Sequence, residues 1–241
     1  MMIIQLKLLL SNFKLILKFP FIQTRELEWA HIFHDSIRGR DWLEKLPLNI
    51  GRWAGNYSLF YILTRILIDY KPKNIIEFGL GESTKLISTF IKNELFASNH
   101  VILEQSSEWI EKFQSIFSII ENSKIIHLPV IECKVNKYLT FSYKDVEKTI
   151  NEKFDLYIVD GPTGSDRFSR NDICKLADKL TINDEFIILI DDYDRKGEKD
   201  TAKELIDILN KKGIPLNIRK YIGNKEQLII ATEKYKFSVS F

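Results

Sequence analysis

At 241 residues the chain is long enough for one α/β domain with an ample core plus an extension. Its 45% hydrophobic and 28% charged residues are ordinary for a folded protein, and a formal net charge of +2 gives no electrostatic case for a nucleic-acid partner. Only two cysteines are present, Cys133 and Cys174, far apart and without CxxC spacing, which excludes a disulfide framework or zinc knuckle and points to a reduced, cytoplasmic setting.

The N-terminal stretch "MMIIQLKLLLSNFKLILKFPFI" is very apolar, yet Lys7, Ser11, Lys14 and Lys18 recur at helical spacing and gather on one stripe. A spanning helix tolerates such lysines poorly, and no small-residue cleavage site follows, so a transmembrane segment and a secretory signal are both rejected. Two roles remain open. The helix docks on the domain or on a second copy of it, giving a homo-oligomer, or it lies peripherally in a membrane interface with its lysines toward headgroups. Composition favours docking.

Residues 24–56 are rich in aromatic and basic side chains and lose periodicity in their second half. "SIRGRDW" and "GRWAGNY" suit stacking on sugars or binding phosphate, and suit equally well anchoring the extension to the sheet. Residues 1–56 are therefore expected to form a helical extension or lid, and residues 57–241 the main domain.

From Tyr57 the pattern sharpens. Leu59, Phe60, Ile62, Leu63, Ile66 and Leu67 make a helical face that ends before Pro72. Strands and helices then alternate: "NIIEF", "HVILE", "KIIHLPVI", "FDLYIVD" and "EFIILID" read as strands with helices between most of them. The chain closes with the strong helix "KDTAKELIDILNKKG" and then "LNIRKYI" and "QLIIATE", an antiparallel hairpin joined by "GNKE". Near-continuous apolar strands separated by helices predict a doubly wound α/β fold, a mostly parallel seven-stranded Rossmann-like sheet with the hairpin at its edge.

In such sheets the ligand sits outside the carboxyl ends of the strands, and "NIIEFGLGESTKL" is the first strand–helix turn. Gly79 and Gly81 let backbone approach a ligand, and Ser83 or Thr84 can cap the following helix. A dinucleotide fingerprint would place a third glycine where Thr84 stands, and a diphosphate would not welcome Glu77; a cationic ligand would.

These residues resemble the first motif of class I S-adenosylmethionine (SAM)-dependent methyltransferases, an acid followed by G-x-G. The resemblance covers residues 57–241. It implies SAM as cofactor, bound by Glu77, Gly79, Gly81, Ser83 and Thr84, with Glu77 helping to orient its methionine part. It also implies that Glu104, which ends "HVILE", takes the ribose hydroxyls. A carboxylate is a sound acceptor for two O–H groups.

"LYIVDGP" ends the fourth strand in Asp160, and "FIILIDDYDR" ends the fifth in Asp191 and Asp192. Adjacent parallel strands bring these ends together. Three carboxylates without a counter-charge repel one another, and a hard cation such as Mg²⁺ would relieve that. The pattern is similar to metal-dependent O-methyltransferases of the catechol and macrolide-sugar types. It implies Asp160, Asp191 and Asp192 as metal ligands, Asp160 and Asp192 as catalytic acids, and Asp160 as a further cofactor contact. One departure stands out: Thr163 occupies the place of the catechol type's lysine base, leaving Asp166, Arg167 and Asp192 as candidates. His31 and His34 at i, i+3 lack a third ligand, and His127 reads as a core residue of the third strand.

The expected protein is thus a SAM-dependent O-methyltransferase acting on a hydroxyl of a sugar, glycan-related or other small molecule. The rival readings are a SAM-fold binding or scaffold protein with a decayed site and, more distantly, an NAD-dependent dehydrogenase.

Overall fold

The computed structural model describes the backbone of residues 2–51 and 53–241 and the side chains of residues 20–51 and 53–241. The Lys7/Ser11/Lys14/Lys18 stripe lies outside the described side chains. Among the described residues no helix is long and apolar enough to cross a membrane.

Helix α1 (Met2–Ile37) is one long element. Its last turns carry Trp29, Phe33 and Ile37 at i, i+4 and i+8, so all three fall on one face and are buried. That face packs on α3 (Tyr57–Tyr70), with ring centroids 5.5 Å apart for Trp29–Tyr61 and 6.3 Å for Phe33–Phe60. Burying each such side chain is worth about 1.5–3 kcal/mol. The short α2 (Asp41–Glu44) buries Leu43, while Trp42 meets Phe90 edge-on at 5.0 Å and Arg40 pairs with Glu94 at 2.8 Å. "SIRGRDW" is thereby an anchor.

The main sheet holds β1 (Asn74–Phe78), β2 (Asn99–Glu104), β3 (Ser123–His127), β6 (Leu156–Val159), β7 (Ile187–Ile190), β8 (Asn217–Ile222) and β9 (Glu226–Ala231). Their order is β3-β2-β1-β6-β7-β9-β8. The first five are parallel; β9 runs antiparallel to both β7 and β8. Side chains alternate across the sheet, so Ile75, Leu156, Ile158, Ile187 and Leu189 meet α1, α3 and α4 (Glu82–Asn93) on one face. Ile76, Phe78, Val159, Ile188 and Ile190 face α7 (Asp172–Ala177) and α8 (Lys196–Lys211) on the other. Helix α5 (Ser107–Ile116) adds Phe113 to a smaller cluster with Leu80 and Ile102. The doubly wound seven-stranded sheet with its antiparallel hairpin is as the sequence predicts.

One element differs. "KIIHLPVI" is not a single strand: β3 stops at His127, and Val130–Val135 forms β4, paired antiparallel with β5 (Tyr138–Tyr143) in a separate two-stranded sheet. Pro129 lacks the N–H that would continue the ladder. The chain leaves the sheet there and returns through β5 and the single turn α6 (Val146–Thr149). His127 accordingly sits exposed at the end of an edge strand, with Nε2 3.0 Å from the Gln105 carbonyl, and is not a core residue.

The strand order reverses between β1 and β6, and the crevice above that switch point is where this fold class holds ligands.

Candidate active site

A cavity of about 910 Å³ opens at the carboxyl ends of the strands. That is the size of a small-molecule site. One end is built by the β1–α4 turn and the end of β2, the other by the ends of β6 and β7 and the β8–β9 turn.

The turn after β1 requires glycine at Gly79, which has φ +101° and donates its N–H to the Leu103 carbonyl at 2.8 Å. It also requires one at Gly161 after β6, where a Cβ would lie 2.8 Å from both Gly79 N and the Tyr143 hydroxyl. Gly81 is different: its backbone is extended, and a Cβ there would meet nothing within 4 Å, because it would project into open space where the residue lines the cavity.

Glu77 is fully buried behind the turn and does not line the cavity. Its carboxylate accepts hydrogen bonds from the Ser83 hydroxyl and, at 2.7 Å, from the Thr84 hydroxyl, and His100 Nε2 of β2 approaches it to 3.2 Å. Thr84 in turn accepts from the Gly81 N–H at 3.0 Å. Glu77 therefore straps the first turn of α4 to the sheet, and Ser83 and Thr84 point inward at it. Of the five residues expected to bind the cofactor at this turn, Gly79, Gly81 and Ser83 reach the cavity wall, and Glu77 and Thr84 sit one layer back.

Glu104 does line the cavity. Its Oε1 accepts from the N–H groups of Gln105 and Ser106, both at 2.8 Å, and its Oε2 from Leu80 N–H at 3.0 Å. Three fixed donors orient the carboxylate and leave one acceptor position on Oε2. Trp109 lies beside it, its indole N–H given to the Leu80 carbonyl at 2.7 Å and its ring on the cavity wall. Across the crevice Gln105 and Thr163 bond one another twice, at 2.6 and 3.0 Å, so the position where the catechol type has a base holds a closed polar clasp.

At the other end Asp160, Asp191 and Asp192 come together as expected, with ligand atoms within 4.8 Å of one another. They are not without counter-charge. Lys225 Nζ sits between Asp191 Oδ2 at 2.9 Å and Asp192 Oδ1 at 3.0 Å. Arg170 bridges Asp160 Oδ1 at 3.1 Å and Asp192 Oδ2 at 2.9 Å, and Arg195 reaches the same Asp192 oxygen at 3.0 Å. Asp191 Oδ1 accepts from Gln227 Nε2 at 2.7 Å. Five of the six carboxylate oxygens are thus engaged; among the described residues Asp160 Oδ2 alone has no such partner. The premise for a metal, three uncompensated acids, does not hold, and the donor set does not fit a divalent ion while these cations are in place.

The backbone fixes this arrangement. Phe168, Arg170 and Asp192 have φ of 50°, 57° and 56°, left-handed conformations that cost about 1–2 kcal/mol for most residues and less for Asp. Glu198 of α8 lies under Arg170, 3.7 Å from its Nε. Asp191 has no exposed surface and does not line the cavity, whereas Asp160 and Asp192 do.

The two cavity-lining acids are driven apart. Burial pushes the Asp160 carboxyl up to about 7, with Arg170 pulling against it and Asp191 adding to the rise. Burial also works to raise Asp192, but Arg170 and Lys225 outweigh it and hold that carboxyl below its ordinary value. Such a pair sorts into a group able to exchange a proton near neutrality and one locked as an anion.

Other sequence candidates fall away from the cavity. Asp166 is exposed, and Arg167 is paired with Asp200 and stacked 4.0 Å above the Tyr138 ring. Neither lines the site. His31 is exposed, and His34 packs against Tyr57 and Phe33. Buried Cys174 has its thiol pushed well up by desolvation. From "GRWAGNY", Trp53 stands at the cavity mouth almost fully exposed (97%).

Arg195 pairs with Asp192 of its own segment "DDYDR", as the sequence allows, whereas sequence reasoning missed Arg170, Lys225 and Gln227. A signal existed for two of them: a final strand antiparallel to "EFIILID" begins at the ligand edge. The register pairs Ile190 with Leu228, which places Gln227 and Lys225 beside Asp191 and Asp192.

No protein-family model matches the chain, and no curated protein matches it. Solved structures do. The chain is similar to the O-methyltransferase TomG from Streptomyces achromogenes, involved in tomaymycin synthesis and solved in complex with SAM. The TM-score is 0.54 at 10% identity, over 88% of this chain and 97% of that one. It is also similar to the O-methyltransferase from Bacillus cereus in complex with S-adenosylhomocysteine (SAH), with a TM-score of 0.50 at 14% identity over 84% and 91%. The shared feature is the fold, the Rossmann-like sheet of SAM-dependent methyltransferases.

Proposed function

We propose that this protein is a SAM-dependent O-methyltransferase acting on a hydroxyl of a small molecule. The observation that carries the reading is Glu104, a carboxylate held by three backbone N–H groups at the end of β2 with one acceptor position left for a ribose hydroxyl. The Gly79–Gly81 turn gives the cofactor its backbone approach, and the Trp109 ring offers a flat apolar wall beside Glu104 for a base. The solved O-methyltransferases that share this fold support the same reading.

When bound, SAM would supply an electrophilic methyl group on a sulfonium, with a neutral thioether as the leaving group for transfer to an acceptor oxygen. The residues must then hold that oxygen close and take its proton. Asp160 is the base this site supports: it lines the cavity, keeps Oδ2 free and is raised toward neutrality. Asp192, locked by three cations, positions Arg170 and Lys225 rather than accepting the proton. Holding both groups in line supplies much of the rate. A sugar or glycan-related acceptor suits the rim, where exposed Trp53 offers an aromatic face and Arg195 a hydrogen-bonding edge.

Calorimetry with SAM, SAH and NAD, followed by transfer of labelled methyl to a panel of hydroxyl-bearing small molecules, tests the reading. SAM and SAH binding with transfer to at least one acceptor is the expected result. SAM binding without transfer across a broad panel would favour a binding or scaffold protein, and NAD binding without SAM binding would overturn the proposal.

A further inference from the structure

The acids at the ends of β6 and β7 hold a cation that belongs to the chain itself. Lys225 is 9% exposed, and its Nζ lies 2.9 Å from Asp191 and 3.0 Å from Asp192. An ammonium has three N–H donors. Two are directed at these carboxylates, and the residue lines the cavity, so the third is available to a ligand oxygen.

The turn that carries Lys225 is tied down on both sides. Gly223 N–H bonds the Lys225 carbonyl at 2.9 Å, and Tyr193 N–H bonds the Glu226 carbonyl at 2.7 Å. Asn224 N–H donates to Glu26 of α1 at 2.7 Å, and Glu226 N–H to Asp194 at 3.2 Å. Glu26 also accepts from Asn56 at 2.9 Å, and Asn56 accepts from Gln227 at 2.8 Å, the same Gln227 that holds Asp191. A buried polar chain thus runs from α1 to the acids and fixes the ammonium in their midst. For a divalent ion to take one oxygen from each acid, Lys225 would have to release Asp191 Oδ2 and Asp192 Oδ1, while Arg170 can stay on Asp160 Oδ1 and Asp192 Oδ2. A buried ammonium beside the incoming ion would repel it at close range.

We infer that Lys225 is the resident cation of this site, filling the place between Asp191 and Asp192 that a divalent metal would take and presenting its remaining N–H to the acceptor oxygen, so that the protein works without a metal. The inference concerns the same cavity as the proposed methyl transfer but is read out independently of it. Lys225 supplies a single positive charge and one directed donor, where a metal would chelate two oxygens. The acceptor therefore needs one well-placed hydroxyl rather than an adjacent pair.

The test is Mn²⁺ binding, followed by the paramagnetic resonance signal of the free ion, to chelator-treated full-length protein. The parent protein is expected to leave the free Mn²⁺ signal unchanged, and its thermal midpoint should not move on adding Mn²⁺ or Mg²⁺. Lys225→Met removes the ammonium at similar volume and should take up a single equivalent of Mn²⁺, with a metal-dependent rise in midpoint that Asp191→Asn in the same background abolishes. Mn²⁺ uptake by the parent that Asp191→Asn removes would overturn the inference. A folded Lys225→Met protein that binds no metal would overturn it too, since the ammonium would then not be what excludes the ion. Should Lys225→Met fail to fold, Lys225→Gln takes its place, and the parent titration decides the matter if neither folds. SAM calorimetry on the same chelated parent keeps the two readings apart: loss of SAM binding there would count against methyl transfer and leave the Mn²⁺ result standing.

Discussion

The two ends of the cavity hold their carboxylates in opposite ways. At the cofactor end, Glu77 and Glu104 are satisfied mainly by hydroxyls and backbone N–H groups. At the acceptor end, Asp160, Asp191 and Asp192 are satisfied mainly by Arg170, Lys225 and Arg195. Dipolar donors orient a carboxylate without adding charge, which suits the cationic sulfonium that we propose this end receives. Fixed cations neutralise carboxylates outright, and what they leave unneutralised, one oxygen of Asp160, is the atom to which we assign the role of base. The acceptor end is therefore the more easily broken, because removing one member leaves the others buried and unpaired.

The largest effect is expected there. Asp160→Asn keeps the shape and removes the base. If the proposed role is right, kcat should fall about 10²–10⁴-fold, the usual contribution of a positioned acid or base. SAM affinity by calorimetry should change far less. Equal losses in both would reassign Asp160 to cofactor binding alone. Next comes Asp191→Asn, which touches neither cofactor nor acceptor and breaks a buried pair with Lys225. Losing one partner of such a pair costs about 3–5 kcal/mol, so the urea midpoint should drop with little change in m-value. A midpoint unchanged from the parent would mean that Asp192 alone suffices for Lys225.

The same contrast explains what the sequence could reveal. Glu77 and its two hydroxyl partners lie within eight residues of one another, and Glu104 takes two of its three donors from the next two residues. A motif is a local object, and this end was legible as one. The strand pattern was equally legible, because alternation across a buried parallel sheet leaves near-continuous apolar runs. The acceptor end was half legible. Its acids announce themselves at strand ends, but Arg170 is 22 residues from Asp192 and Lys225 is 34 from Asp191, in loops with no periodicity. Without those cations the acids look uncompensated, and a metal is the natural inference. Pro129 hid the β4–β5 hairpin in a similar way, by sitting inside what reads as one apolar strand.

At the cofactor end a smaller and cleaner effect is expected from Gly81→Val. The added side chain meets no protein atom near its Cβ, so the unliganded protein should keep its thermal midpoint. Apart from the weaker helix cap that Val provides at the start of α4, its cost falls on whatever occupies the cavity. Crowding a packed contact costs about 1–3 kcal/mol, which is up to about a hundredfold in affinity for SAM and SAH. A protein that unfolds earlier without ligand would show that the turn, not the cofactor space, demands glycine. Glu77→Gln should behave in reverse, lowering stability through the Ser83–Thr84 strap while changing SAM affinity little.

The mildest expected effect is set by pH and separates the two ends without any mutation. Burial raises the Asp160 carboxyl to about 7, so its protonated form is favoured in the folded protein. A raised carboxyl opposes folding when ionised: its contribution to stability is greatest below the ordinary Asp range and is lost as pH climbs through about 7. Asp192 has the opposite sign. Its lowered carboxyl contributes stability above the ordinary range, lost only as pH falls through its depressed folded value. Between these windows Asp192 stays an anion and keeps Arg170 and Lys225 in place, while Asp160 takes up the proton of this pair. If Asp160 is the base, kcat/KM should fall about tenfold per pH unit below about 7, and the fall should vanish in Asp160→Asn. SAM affinity, which we assign to the opposite end of the cavity, should stay nearly flat over the same range. An acid limb lying instead well below the ordinary Asp range would move the proton transfer to Asp192 and reverse the roles assigned to the two carboxylates.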